Sequence, residues 1–132
     1  MLRIAHWTVT AALVAAAASI GSTAKVETKT VTWTGWFSDI TCAKGRVENG
    51  EIGPNNTVCV KKCLDEGATA VFVSEQAKAM FVVKDHPSLK EDVGYHVELT
   101  GVVDVEAKTV SVTSVKHLSE VTNMCGVPKK KK

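Results

Sequence analysis

Four cysteines carry most of the chemistry open to this 132-residue chain. Cys42 closes the stretch Trp33-Thr-Gly-Trp-Phe-Ser-Asp-Ile-Thr-Cys42, Cys59 and Cys63 frame a Cys-Val-Lys-Lys-Cys segment, and Cys125 stands near the end. A thiolate is a nucleophile and a ligand for soft or borderline ions, whereas two thiols in oxidising surroundings join as a disulfide. The compartment therefore decides how the cluster is read.

The N-terminus speaks to the compartment. Residues 1–24 have the three parts of a secretory signal: Arg3 near the start, an apolar stretch from Val9 to Ile20, and the small residues Ser22-Thr-Ala24 as a cleavage site. The apolar stretch is short and rich in Ala and Thr, which argues against a permanent bilayer span, since that takes about 20 strongly apolar residues. A periplasmic or secreted location follows, with no membrane span after cleavage. The remaining chain is one domain's worth. We expect a short linker at 25–30, a folded domain at 31–120, and a C-terminal segment at 121–132 ending in Lys129 to Lys132. Of 16 Lys and Arg, one lies in the signal and four in that tail, so the body carries 11 basic against 14 acidic residues. That balance excludes the clustered basic surface of a nucleic-acid-binding domain. The lysine tail is expected to be solvated, with contact to anionic surfaces as its sharper role.

Export favours bridges first. Four cysteines allow three pairings, and sequence does not choose among them. We favour Cys42 with Cys59 or Cys63, leaving Cys125 for the other; closing a loop of roughly 15 to 20 residues stabilises by about 3 kcal/mol. A Cys59–Cys63 bridge is disfavoured, because one turn of undistorted helix aligns the two side chains poorly. The alternative is a thiolate site in which Cys42, Cys59 and Cys63 carry Cu(I) or Zn(II), or serve as a redox centre. The spacing is not Cys-x-x-Cys, and Leu64 in place of histidine after Cys63 argues against covalent haem.

The elements that must position these residues read mainly as strands. Val31 to Phe37 is rich in β-formers, with Gly35 marking a bend or bulge. Ala70 to Val73 and Met80 to Val83 form a hairpin around Ser74 to Lys78. Tyr95 to Thr100 alternates apolar and polar, Gly101 marks a curve, and Asp104 to Lys108 turns the chain into a second alternating run, Thr109 to Thr113. Two short helices fit between. One is capped by Asn56 or Thr57 and stopped at Gly67, with Cys59, Val60, Cys63 and Leu64 on one side; the other runs from Ser88 to Val93, with Ser88 and Glu91 spaced as a capping box. Lys44 to Thr57 reads as a long surface loop. Five strands with a helix between the third and fourth is the order of an OB-like barrel, so the expected fold is mainly β, a disulfide-stabilised five-stranded barrel with one or two short helices.

Gly35-Trp-Phe-Ser-Asp-Ile-Thr-Cys42, Cys59-Val-Lys-Lys-Cys63 and Gly67-Ala68 together resemble a family of small exported bacterial proteins with a domain of unknown function, across roughly Thr32 to Val115. Such proteins often carry a histidine a few residues after the first cysteine, where Arg46 stands here. The resemblance implies no established activity.

Other polar residues have plainer readings. His86 is expected in an exposed loop. His96 and His117 lie on or beside strands that pair, and could share a metal or face solvent. Asp39 is expected to cap a turn through nearby amides, lacking a visible catalytic partner. Trp33, Trp36, Phe72, Phe81 and Tyr95 should mostly be core. No Ser-His-Asp grouping, phosphate loop or zinc-hydrolase helix is present, so no catalytic residue and no cofactor is assigned. The expectation is a binding module for an exported protein or small molecule, contacted through one barrel face and the Lys44 to Thr57 loop.

Overall fold

The strand-forming runs become five strands: β1 (Thr28–Asp39), β2 (Ala70–Ser74), β3 (Ala79–Lys84), β4 (Tyr95–Asp104) and β5 (Thr109–Glu120). Three short helices interrupt them: α1 (Ile40–Glu48), α2 (Thr57–Asp65) and α3 (Leu89–Asp92). This computed structural model describes residues 27–121. The expected signal peptide, Cys125 and the lysine tail lie outside the described residues. No helix among the described residues is long and apolar enough to cross a membrane.

The order of the elements matches the sequence reading, with two corrections at the start of the domain. β1 begins at Thr28, inside the stretch expected as linker, and pairs there with β4. The expected loop from Lys44 is helical up to Glu48, because α1 starts at Ile40. The capping box at Ser88 is also not formed: Ser88 makes no side-chain cap bond, and only its carbonyl accepts the Glu91 N–H. Both hairpins form as expected, β2 with β3 and β4 with β5, each antiparallel. The ladders run β1–β2–β3–β5–β4 and return from β4 to β1, with β3 and β5 parallel.

β1 makes that circuit possible by serving two neighbours. Its first part, Thr28 to Gly35, pairs with β4; its last part, Gly35 to Asp39, pairs with β2. Gly35 is the pivot and belongs to both ladders. A Cβ there would lie 1.9 Å from the Val73 carbonyl oxygen and 2.9 Å from the Phe72 ring. Gly101 is the counterpart on β4, where the ladder to β5 slips its register.

Inside the circuit lies one apolar cluster of Val31, Phe37, Phe72, Phe81, Val97, Leu99, Val103 and Val110, with α2 adding Val60 and α3 adding Leu89. β4 alternates cleanly: Val97, Leu99, Gly101 and Val103 are buried, while the residues between them are more open. β2 does not alternate, since Val71, Phe72, Val73 and Ser74 are all buried. The reason is α1, whose Ala43 packs with Val71 and Val73 on the other face of the sheet, flanked by Ile40, Val47, Met80 and Val82. A strand covered on both faces loses its polar alternation.

The two glycines of this region are expected to respond with opposite signs. Gly35→Ala should lower stability by about 3 kcal/mol or abolish folding, because the obstacle is backbone rather than a movable side chain. Gly45→Ala, within α1 and with nothing near its added Cβ, should raise stability by about 0.5–1 kcal/mol. Urea unfolding of the two variants measures both, and equal shifts would rule out the pivot.

Candidate metal centre

Asp39 is the last residue of β1 and the cap of α1. Its backbone is extended, and its Oδ2 accepts the Cys42 N–H at 3.0 Å. The expected capping role is thus observed. What the sequence left open is its environment, for the side chain is 0% exposed and Oδ1 has no hydrogen-bond partner. Facing it are two sulfurs. The Asp39 carboxylate, Cys42 and Cys63 offer ligand atoms that all lie within 4.8 Å of one another, the only such group among the described residues.

Main-chain bonds on both sides hold this grouping. Cys42 sits in the first turn of α1, fixed by the Asp39 cap. The start of α1 is tied to the segment after α2 by Ile40 N–H donating to Thr69 O at 2.9 Å. The end of α2 is closed by Ala68 N–H donating to Cys63 O at 2.9 Å, a turn that Gly67 permits with a φ of +94°. α2 itself begins at Asn56, whose side chain accepts the Cys59 N–H at 3.1 Å. Cys42 and Leu64 pack against the main core.

Cys59 does not join the cluster. Within α2, Val60 is buried and Cys63 and Leu64 are half-buried, while Cys59 is exposed. The inward stripe follows the three- and four-residue spacing from Val60, and Cys59 falls outside it. Of the expected trio of Cys42, Cys59 and Cys63, the structure brings Cys42 and Cys63 together, with Asp39 rather than Cys59 as the third member of the group. All three described cysteines are free thiols, so the expected bridge from Cys42 is not formed; Cys63 is its neighbour, and Cys125 lies outside the described residues.

Electrostatics mark Cys42. Burial, then the hydrogen bond and charge of Asp39, then the adjoining Cys63 push its thiol from an ordinary 9.0 up to about 12. Oδ2 takes the Cys42 N–H, and Oδ1 has no hydrogen-bond partner. Cys63 is reached differently: it lines an open depression with Thr41, Glu66, Gly67 and Ala68. The pair is therefore asymmetric, one sulfur protonated and packed, the other at the mouth.

No family model, curated protein or solved structure matches this chain. Geometry carries the functional reading.

The remaining candidates have structural tasks. Arg46 points away from ligand chemistry and into its own loop, with Nη1 donating to Pro54 O at 2.6 Å and Asn55 Oδ1 at 2.9 Å and Nε pairing with Glu51 at 3.0 Å. Asn55 in turn donates to the buried Ser38 hydroxyl at 2.7 Å. His96 and His117 do not share a site. His96 Nε2 meets Glu75 at 2.7 Å and its ring stacks on Trp36. His117 Nε2 meets Asp92 at 2.6 Å and stacks on Tyr95. His86 is not a loose loop residue: its Nε2 meets the other Asp92 oxygen at 2.5 Å and its ring stacks on Phe37. Asp92 thus fastens the β3–β4 connection to the end of β5. Trp33 packs on Phe81, as expected of core.

Alkylation at neutral pH should follow the asymmetry of the thiols. Cys59 reacts first, Cys63 next and Cys42 last in the native protein, as read by peptide mapping; labelling of Cys42 at the rate of Cys59 would contradict the placement. A second expectation concerns acid. Burial alone would raise Glu75, but the hydrogen bonds from Thr34 and His96 and the charges of His96 and Lys78 outweigh it and hold the carboxyl below its ordinary 4.5. The unfolded chain then binds more protons, so this contribution is present above about pH 4.5 and fades as pH falls through the folded value. Glu75→Gln should flatten the acid limb of a stability-against-pH curve; an unchanged limb would rule that out.

Proposed function

We propose that this protein is a small exported binding module, an OB-type barrel in the family of exported bacterial proteins it resembles, and that its ligand is a borderline divalent ion of the zinc type. Support for the barrel comes from the closed circuit of ladders, the parallel β3–β5 contact and the position of α3 between β3 and β4. The ion would be held by Cys42, Cys63 and Asp39. The single observation that carries the reading is the fully buried Asp39 carboxylate, whose Oδ1 has no hydrogen-bond partner and which offers an oxygen within 4.8 Å of two sulfurs.

The Cys42 N–H satisfies Oδ2, but a buried carboxylate oxygen left without a donor or a cation is costly. A divalent ion supplies that charge and converts the two thiols to thiolates, releasing protons. The mixed donor set discriminates among ions. Cu(I) prefers sulfur and would leave the carboxylate unsatisfied, whereas Zn(II) accepts sulfur and oxygen in one tetrahedral shell. Three protein ligands would leave a fourth position, and one of the three, Cys63, borders an open depression. Open coordination of this kind suits an ion that is exchanged rather than one sealed in as a structural staple. The loop from Lys44 to Thr57 is not the contact surface in this reading, because α1 and the Arg46 bonds occupy its polar groups.

Competition for zinc between the reduced protein and a chromophoric chelator tests this. One zinc per chain is expected, with affinity lowered about tenfold or more by Cys63→Ser or Asp39→Asn. Asparagine still caps a helix, so the second variant separates ligation from folding. Cys59→Ser should bind as the parent does. No stoichiometric uptake, or equal affinity in Cys63→Ser and Cys59→Ser, would overturn the reading.

A further inference from the structure

The sulfurs of Cys42 and Cys63 are neighbours that can bind a common ion or bind each other. We propose that the site is redox-gated: an exported disulfide oxidises Cys42 and Cys63 to a bridge and expels the ion, and reduction restores the site. The inference rests on the metal reading above and adds its regulation.

Geometry makes the two states exclusive. Around a tetrahedral zinc with Zn–S bonds near 2.3 Å, two ligating sulfurs stand about 3.8 Å apart. A disulfide draws them to about 2.05 Å and removes the negative charge of both, so neither remains a ligand. The present arrangement brings the two sulfurs within 4.8 Å as thiols, near enough that neither state requires a large movement. The cysteines are on two different short helices, α1 and α2, so one can move against the other without breaking a strand ladder.

The structure also assigns an order of events. Cys63 borders the depression formed with Thr41, Glu66, Gly67 and Ala68, whereas Cys42 packs against the core. The Cys63 sulfur therefore attacks the incoming disulfide, forming a mixed disulfide and releasing the first thiolate of the oxidant. The Cys42 sulfur then attacks Cys63, the Cys42–Cys63 bond forms, and the second thiolate leaves. The protein loses two electrons, the oxidant's sulfur–sulfur bond takes both, and two solvent protons complete its thiols. The ion departs with its charge unchanged. Asp39 keeps its capping bond to the Cys42 N–H and is left without the cation.

Linkage fixes the size of the effect. An ion that binds only the dithiol protects it by one plus the ratio of free ion to Kd. At free zinc 100 times Kd, the ratio of squared reduced glutathione to oxidised glutathione at half-oxidation should fall about 100-fold. That is a rise in midpoint potential of roughly 60 mV for a two-electron couple.

The experiment uses the protein carrying Cys59→Ser and Cys125→Ser, equilibrated across glutathione buffers with and without zinc. Zinc uptake by the fully reduced protein is read first. Absence of uptake would sink the metal reading itself, and the gate with it. Given uptake, the bridge is read by mass and peptide mapping and zinc by a chromophoric chelator. The expected result is a Cys42–Cys63 bridge, no zinc on the oxidised protein, and the 100-fold displacement when zinc is present. Three results overturn the gate while leaving zinc binding intact: no Cys42–Cys63 bridge at any poise, a bridged protein that retains zinc, or a midpoint that zinc does not move. Asp39→Asn supplies a second check, since it should bridge as the parent does but show a smaller displacement at the same zinc concentration.

Discussion

A single strand with two partners is the constraint on which the rest of the structure depends. β1 pairs with β4 along its first part and with β2 along its last, and Gly35 joins both ladders at a point where the Val73 carbonyl leaves no room for a Cβ. That crossing turns the sheet back on itself and carries the end of β1 along β2. Four residues later the strand ends in Asp39, paired in register with Ala70. The position of the carboxylate is thus a consequence of the sheet geometry. From Asp39 the chain enters α1, and the cap bond fixes Cys42 one turn away.

The buried carboxyl of Asp39 needs a reason beyond capping. Asparagine and serine cap helices about as well, and neither brings a carboxyl group out of water. The neighbouring Cys42 thiol accounts for part of the interaction, since the carboxylate raises the thiol and accepts from it. That partnership leaves one oxygen unpaired, and a buried acceptor without a donor destabilises by about 1–3 kcal/mol. In the proposed reading, a cation shared with two sulfurs would resolve the deficit. Arg46 is no substitute, because its guanidinium is committed to Glu51, Pro54 and Asn55.

Much of the fold was legible in local pattern. The alternation of Val97 and Leu99 with their polar neighbours located β4 and its buried face; the Asn56 cap and Gly67 stop located α2; the spacing of short runs gave both hairpins. α1 was missed because Thr41, Lys44 and Gly45 dilute its helical pattern, and its apolar contacts are with an outer sheet face rather than the main core. A signal for it existed elsewhere, in the unbroken run Ala70-Val-Phe-Val73, since a strand without alternation requires a cover on both faces. The site was half legible. Cys42 and Cys63 were identified from residue type, but Cys59 was included because a ten-residue helical stripe is wide enough to admit it, and only packing fixed the phase. Asp39 was read as a cap. Its place beside Cys63 depends on α2 arriving next to it, a meeting of residues 24 positions apart that no local pattern encodes.

Two short helices carry the site, and their stability sets its character. Nine-residue helices are marginal alone, so α1 and α2 depend on their caps, on the bonds Ile40 to Thr69 and Ala68 to Cys63, and on modest apolar contacts. The strands beneath them are tied into a continuous circuit and do not share that weakness. An ion or a bridge joining Cys42 to Cys63 would therefore stabilise the helices more than the sheet, and the free energy of loading would appear as local order between them. In the proposed reading, a rigid frame carrying a loosely held pair of helices would let an ion enter and leave without unfolding the protein. That would be the physical distinction between a site that exchanges its ion and one that staples a fold.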